Sequence, residues 1–253
     1  MKMYFIRLLT YTLRFGLLDG ILIFIKLQSN RFSKFRIPAF KNEIFVRPYT
    51  SDANVFEQIF VHYEYDLEIG YPPQIIVDLG ANIGLSALFF SMKFPQAKVI
   101  AVEPDKENFS CLKKNTCLLD NVISIHAAVW DKKTEVRISD KYNYGKWGMV
   151  VEEVVDKTEP LNRIESITVE EIMKINNIAK IDILKIDIES AEFQLFSSGF
   201  ELWLPKVKVV LIELHDSMKS GTSKVFFDAI TASMHSYRVI PKGENLIVIN
   251  ESI

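Results

Sequence analysis

The chain has 253 residues, 49% of them hydrophobic and 25% charged, with a formal net charge of −2. Those values are ordinary for a globular protein with ample core material, one large domain in length, and the chain shows no internal repeat or low-complexity run. With only two cysteines, Cys111 and Cys117, facing different ways on one predicted helix, an intramolecular disulfide is excluded and a reducing compartment is the simplest inference.

The charge is unevenly spread. Residues 1–47 carry nine bases (Lys2, Arg7, Arg14, Lys26, Arg31, Lys34, Arg36, Lys41 and Arg47) against Asp19 and Glu43, a net of +7, which leaves −9 for the remainder. Residues 15–27 (FGLLDGILIFIKL) are very apolar, but Asp19 and Lys26 interrupt them, and they fall short of the roughly 20 residues a spanning helix needs. No small-residue cleavage site follows, as a secretory signal would require. On a helical wheel Tyr4, Arg7, Tyr11 and Arg14 share one face, while Phe5, Ile6, Leu9, Leu13 and Leu17 crowd the other. Two readings stay open for residues 1–40: peripheral contact with a membrane surface, or packing on the chain's own body. The division expected is an amphipathic helical extension over 1–45 and one domain over 46–253, in a cytoplasmic protein that could sit at the inner membrane surface.

From about residue 72 short apolar runs alternate with amphipathic ones. Residues 74–78 (QIIVD), 98–103 (KVIAVE), 122–127, 181–187 (IDILKID) and 207–214 (VKVVLIEL) read as buried strands. Helix patterns follow them, near 83–93 and 105–118 for the first two. This order predicts a largely parallel sheet covered on both faces. Residues 128–139 and 149–155 break the rhythm as hairpin material around Asp131, Lys132 and Lys133. A last hairpin, 237–240 with 245–249, turns at Pro241, Lys242 and Gly243.

The segment Val77-Asp78-Leu79-Gly80-Ala81-Asn82-Ile83-Gly84 lies between a buried strand and a helix. Its spacing, D-x-G-x-x-x-G, differs from the G-x-G-x-x-G that opens onto a pyrophosphate in dinucleotide-binding domains. A carboxylate beside the loop would repel a pyrophosphate but suits a ligand bearing an amino group and a sulfonium, which favours S-adenosylmethionine over NAD. Glu103 ends the second strand, where an acid can accept hydrogen bonds from both ribose hydroxyls; either cofactor would use it.

These motifs, with HAAV (126–129), AVEPDKEN (101–108), ILKIDIESAE (183–192), the Ile167-Thr168-Val169-Glu170 element and Leu211-Ile212-Glu213-Leu214-His215, resemble the FkbM family of methyltransferases from about Phe45 to Asp216. The resemblance implies a Rossmann-like class I methyltransferase fold, a mostly parallel seven-stranded sheet with a terminal antiparallel hairpin. It also implies S-adenosylmethionine as donor and, usually, O-methylation of a hydroxyl. By that analogy Asp78, Gly80, Asn82 and Gly84 cradle the methionine end. Glu103 would hold the ribose with Asp105 beside it, and residues 126–128, Ala127 and Ala128 among them, would lie along the adenine. Ser190 stands where the family commonly has glycine. Residues 47–65 resemble members associated with bacterial surface-glycan gene sets, which implies a glycan or glycolipid acceptor, and Arg47 or Tyr49 could close over the cofactor.

In open α/β sheets ligands bind beyond the carboxyl ends of the strands. Asp187 and Glu189 follow the fourth strand; Glu213, His215 and Asp216 follow the fifth. Asp187, His215 and Glu213 are therefore the expected catalytic residues, with His215 or Asp187 as general base for the departing hydroxyl proton. The alternative is a Mg²⁺ ion held by Asp187, Glu213 and Asp216; the metal-free base is preferred. Period-two alternation puts Lys185 on the face of Asp187, where the two can pair. Competing readings are an NAD(P)-dependent oxidoreductase, opposed by the 78–84 spacing, and a binding protein that keeps the fold without turnover. Nucleic acid is not an expected partner, because the domain is acidic and no Asn-Pro-Pro-type motif follows the fourth strand.

Overall fold

The computed structural model describes residues 2–29, 33–38, 40, 43–141, 149–154 and 163–253. The run 143–148, with Trp147, whose glycines and aromatic residues suggest a sugar-contacting loop from sequence alone, and Val155 lie outside them. Two helices, α1 (Lys2–Phe15) and α2 (Leu17–Gln28), open the chain, followed by an antiparallel pair β1 (Ser33–Phe35) and β2 (Ile44–Val46). A short helix α3 (Asp52–Phe56) runs into a π-turn, Glu57–Val61.

The alternating region follows in the expected order: β3 (Ile75–Leu79), α4 (Leu85–Lys93), β4 (Lys98–Glu103), α5 (Lys106–Thr116) and β5 (Val122–His126). The irregular region folds as β6 (Ala128–Val129), β7 (Glu135–Ser139), β8 (Val150–Glu153) and β9 (Arg163–Ile167). After it come α6 (Val169–Ile175), β10 (Ile181–Ile186), α7 (Glu192–Leu195), β11 (Val207–Glu213), α8 (Thr222–Ser233) and the hairpin β12 (Tyr237–Lys242) and β13 (Asn245–Asn250). The large sheet has seven strands in the order β12-β13-β11-β10-β3-β4-β5, parallel except where β13 meets β11 and β12. The fold is therefore the mostly parallel, doubly covered sheet with a terminal hairpin that the pattern predicts. β7 pairs with β8 and β9, and β9 with β6, in a second sheet of four strands beside it.

Period-two alternation divides the core between the two faces. Ile76, Val99, Ala101, Ile183, Val209 and Leu211 face one side, with α4 and the N-terminal helices. Val77, Ile100, Val102, Leu184, Val210 and Ile212 face the other, with α6 and α8. Burial of such near-continuous aliphatic strands on both faces is what a parallel sheet requires. The N-terminal segment packs into the first of these layers: Tyr11, Ile23, Phe24, Leu27 and Phe35 join Phe56, Phe60 and Phe90. β2 crosses the 45/46 boundary, and Asn115 on α5 fixes it, accepting from Phe45 N (2.8 Å) and donating to the carbonyls of Phe45 (3.0 Å) and Ile83 (2.8 Å).

Candidate active site

The loop after β3 is held by backbone contacts that admit little side chain. Gly80 and Ala81 donate to Val102 O at 3.0 and 2.9 Å, and Asp187 N donates to Leu79 O at 3.1 Å. Gly80 sits at φ +77, and a Cβ there would lie 1.8 Å from Asp187 O, so this loop and the one after β10 touch only because residue 80 is glycine. Gly84, at φ +85, caps α4, and its missing Cβ lets that helix approach the backbone of Leu112 on α5. Asn82 also adopts a left-handed φ of +49, which asparagine tolerates better than most residues. A cleft opens at this point, walled by Gly80, Asn82, Ser86, Glu103, Asn108, Lys185, Asp187 and Glu189.

Strand register explains the charges beneath it. Lys185 on β10 stands directly opposite Asp78 on β3, so the two side chains share a face, and Asp187 follows on that face. Lys185 Nζ lies 3.3 Å from Asp78 Oδ1 and 3.5 Å from Asp187 Oδ2, and donates to Gly80 O at 2.8 Å. The expected Lys185–Asp187 pairing is present, but Asp78 is the nearer partner. Burial works against the Lys185 charge, yet Asp78, Tyr65 and Asp187 together raise it above the ordinary lysine value. Asp78 is completely buried and also accepts from Ser86 Oγ at 2.5 Å. Its carboxylate does not wall the cleft. The carboxylate expected to meet the cofactor's amino group thus stands behind the cleft wall, between Lys185 and Ser86, which do line the cleft.

Glu103 does face the cleft, at the end of β4. Oε2 accepts from Asn82 N (2.8 Å), and Oε1 accepts from Asp105 N (2.9 Å) and Asn108 Nδ2 (3.2 Å). Burial pushes this carboxyl up to about 7, against those hydrogen bonds, which favour the charged form. An ionised carboxylate has about four lone-pair positions, so acceptor capacity is left for a ligand hydroxyl. Asp105 is instead the N-cap of α5, accepting from Glu107 N (3.0 Å) and Asn108 N (2.9 Å). It does not wall the cleft, because the cap turns its carboxylate back on its own helix. Ala127 and Ala128 are buried in the core beside Val102 and Ile186, and Val129 is the residue of that stretch that reaches the cleft.

At the ends of β10 and β11, Asp187, Glu213 and His215 come together as expected. Each offers an atom within 4.8 Å of the others', a spacing that could hold a cation. Glu189 and the fully buried Glu192 complete a cage around the imidazole. His215 Nδ1 lies 3.0 Å from Glu192 Oε1, which also accepts from Ile188 N at 3.0 Å. A carboxylate can only accept there, so Nδ1 carries a proton. Nε2 then faces carboxylates alone: Glu189 and Glu213 at 3.5 Å and Asp187 at 3.9 Å, too far for good hydrogen bonds. Beside ionised carboxylates a protonated Nε2 is the favoured form. Burial disfavours that charge, but the hydrogen bond to Glu192 and the surrounding carboxylates more than offset it and hold His215 at about 11. That environment favours the charged form of His215, which leaves Asp187 the more exposed of the two expected proton acceptors. Burial first, and then the Asp187 charge, push Glu189 up to about 8; burial also raises Glu213.

Other expected site residues are committed elsewhere. Arg47 makes a paired contact with buried Asp52 (Nε–Oδ2 2.9 Å, Nη2–Oδ1 2.8 Å), and Tyr49 is 84% exposed, so neither covers the cleft. Asp216 turns to Ser223, accepting from its backbone N at 3.0 Å, and lies outside the three-residue cluster.

Residues 78–239 match the Methyltransferase FkbM domain, well over half of the chain. The chain belongs to the FkbM methyltransferase family. The match begins at Asp78, later than the motifs around Arg47 suggest. Among relatives, a methyltransferase sdnD of Sordaria araneosa is 37% identical over 73 residues, 29% of this chain and 28% of that one. The 31-O-demethyl-FK506 methyltransferase FkbM of Streptomyces tacrolimicus is 22% identical over 174 residues, 57% and 66% of the two. A solved FkbM methyltransferase of Methylobacillus flagellatus KT superposes with a TM-score of 0.52 at 14% identity, covering 72% of this chain and 45% of that one. The chain thus spans about a quarter to two thirds of these proteins' lengths. It carries the family's class I fold, and that fold implies S-adenosylmethionine.

Against the FkbM frame, the residues that sequence reasoning undervalued are Glu189, Glu192 and Asn108. Glu192 lies four residues beyond Ile188, so its side chain can reach back to that amide, the only local signal for its role. Glu189 and Ser190 both adopt left-handed φ, +52 and +77. Ser190 therefore holds, at a cost in strain, a backbone that glycine would adopt freely.

Proposed function

We propose that this protein uses S-adenosylmethionine to methylate a hydroxyl on a glycan or glycolipid precursor. The cleft suits such a cofactor: Gly80 lets the loops after β3 and β10 meet at its wall, Glu103 is the acid that would hold the ribose, and buried Asn82 Oδ1 and Glu189 Oε2 have no hydrogen-bond partner among the described residues. The observation that carries the acceptor assignment is a second cleft sharing the Val151 wall with the first. It is lined by Trp130, Lys141, Glu152, Ser190, Gln194 and Lys219. Trp130 Nε1 is buried there with no partner among the described residues. Polar groups around an indole suit a sugar better than a flat apolar substrate. The name of the Streptomyces relative, a 31-O-demethyl-FK506 methyltransferase, supports transfer to oxygen.

When bound, S-adenosylmethionine supplies a methyl carbon activated by a sulfonium. An acceptor hydroxyl taking up that methyl would have to give up its proton. Asp187, at the cleft wall with its side chain 24% accessible, is the proton acceptor in this reading. Lys185 and His215 flank it and hold its orientation, while Glu213 and Glu192 keep His215 charged. Alignment of the attacking oxygen supplies much of the acceleration, with the base contributing roughly 10²–10⁴-fold. The residues at 187, 213 and 215 could instead hold a divalent cation.

The test is incubation with S-adenosylmethionine and a panel of nucleotide sugars and lipid-linked glycans, read by mass spectrometry and NMR. A methyl ether on a sugar oxygen, lost in Asp187→Asn while cofactor affinity stays within a few-fold, is expected. Transfer only to nitrogen, or undiminished turnover in Asp187→Asn, would contradict the assignment.

A further inference from the structure

The N-terminal helices are turned the opposite way from ordinary surface helices. The charged side of α1 points inward: Arg7 pairs with Glu57 through Nε (3.0 Å) and Nη2, and Arg14 stacks 3.5 Å over Tyr63 while donating to Val61 O (3.2 Å). On α2, Ile23, Phe24 and Leu27 pack inward, and Phe24 meets Tyr11 of α1 edge to face. Most of what is left outside is apolar, with Arg14, Asp19 and Lys26 the exposed charged residues among those described. Phe5, Leu9 and Leu13 form one stripe at i, i+4 and i+8 on α1, and Leu18, Leu22 and Ile25 form another at i, i+4 and i+7 on α2, each roughly half to four-fifths exposed. Leu17, 68% exposed, joins the two. Contiguous apolar faces of this kind mark an interaction surface.

Charge identifies what covers it. Lys26 follows Leu22 by one turn along the exposed side of α2 and donates to Lys34 O, which places β1 beside the stripe. Lys34 and Arg36 are exposed on the side of that segment opposite buried Phe35 and Ile37. Residues 1–47 carry a formal net +7 and the rest −9, and although Arg7 and Arg47 are paired with Glu57 and Asp52 of the body, the segment keeps a basic excess. A second copy brought to this face would set two strongly basic segments against each other. An anionic lipid surface would instead attract the basic flank, accept the leucines among its acyl chains and repel the acidic body, fixing one orientation. No helix among the described residues is long and apolar enough to cross a membrane, so the contact is a flat one. Both helices also lie outside the matched 78–239 span. We infer that the outer face of α1 and α2, from Phe5 to Ile25 with the Lys26, Lys34 and Arg36 flank, is a docking surface for an anionic phospholipid bilayer.

The full chain should be floated with vesicles of phosphatidylglycerol and phosphatidylethanolamine, and separately with phosphatidylcholine alone. Binding is expected to the first, weaker by roughly tenfold or more to the second and in high salt. The exposed-site variant Leu13→Gln/Leu17→Gln/Leu18→Gln should lose binding to a similar extent, with an unchanged melting temperature. Lys26→Glu/Lys34→Glu/Arg36→Glu should do so independently. Failure of the wild type to float with anionic vesicles would overturn the inference, as would equal flotation of either variant. So would a wild-type dimer, seen by sedimentation, that the leucine variant turns into a monomer without any vesicle binding.

Discussion

The carboxylates at the two halves of the sheet edge are used differently. At the ends of β3 and β4, Asp78 accepts from Ser86 through Oδ2 and has the Lys185 ion pair, but no good hydrogen bond, at Oδ1, and Glu103 accepts from three N–H donors. These groups fix loop shape. At the ends of β10 and β11, four carboxylates surround one imidazole, and Glu189 Oε2, Glu192 Oε2 and His215 Nε2 are left without good hydrogen bonds. That half stores charge in a low-dielectric pocket, where it acts on whatever enters. A cofactor needs a fixed cradle, whereas a proton transfer needs groups whose charge is not already neutralised.

Breaking the rigid half should give the largest effect. Lys185→Met leaves Asp78 buried without its counter-charge and should cost about 3–5 kcal/mol in denaturant unfolding, much of it recovered in Lys185→Met/Asp78→Asn. A Lys185→Met protein of unchanged stability would show that the two halves do not differ as described. Next comes Glu192→Gln, which keeps both hydrogen bonds but removes a charge. It should cost about 1–2 kcal/mol and, in NMR titration, move His215 down from about 11 towards the ordinary histidine range.

The charged half also predicts a pH response. Glu189 and His215 have raised values in the fold, about 8 and 11, against ordinary values of 4.5 and 6.5. The folded state therefore holds more protons than the unfolded one. The stabilisation is complete below the unfolded values and is lost as pH rises, through 4.5 to about 8 for Glu189 and 6.5 to about 11 for His215. Melting temperature should fall between about pH 6 and about pH 9, and a rise over that range would contradict the cage. The smallest effect expected is Ser190→Gly, which relieves a left-handed serine and should stabilise the protein by about 1 kcal/mol in the same unfolding assay.

The same division governed what the sequence could reveal. Gly80, Gly84 and Glu103 are legible because a tight turn and a strand-end acid are local requirements, readable from spacing alone. The alternating strands are legible for a similar reason, and the parallel order follows from them. Asp78 shows where local reading stops. Its partner Lys185 is 107 residues away in the chain, and only the register of β3 against β10 reveals that the charge is neutralised. His215 was found by position, but its protonation depends on Glu189 and Glu192, brought round by two left-handed residues that no periodicity announces. On α1 the wheel separates the two faces correctly, yet it cannot say that the arginine face turns inward, because Glu57 and Tyr63 lie in another element.

Calorimetric titration with S-adenosylhomocysteine, with NAD as control, tests most directly whether the cleft between Gly80 and Glu103 is a site for S-adenosylmethionine. Saturable binding of the first alone, weakened roughly tenfold or more in Glu103→Gln, is the predicted result. Binding of NAD, or no binding of S-adenosylhomocysteine by demonstrably folded protein, would contradict it.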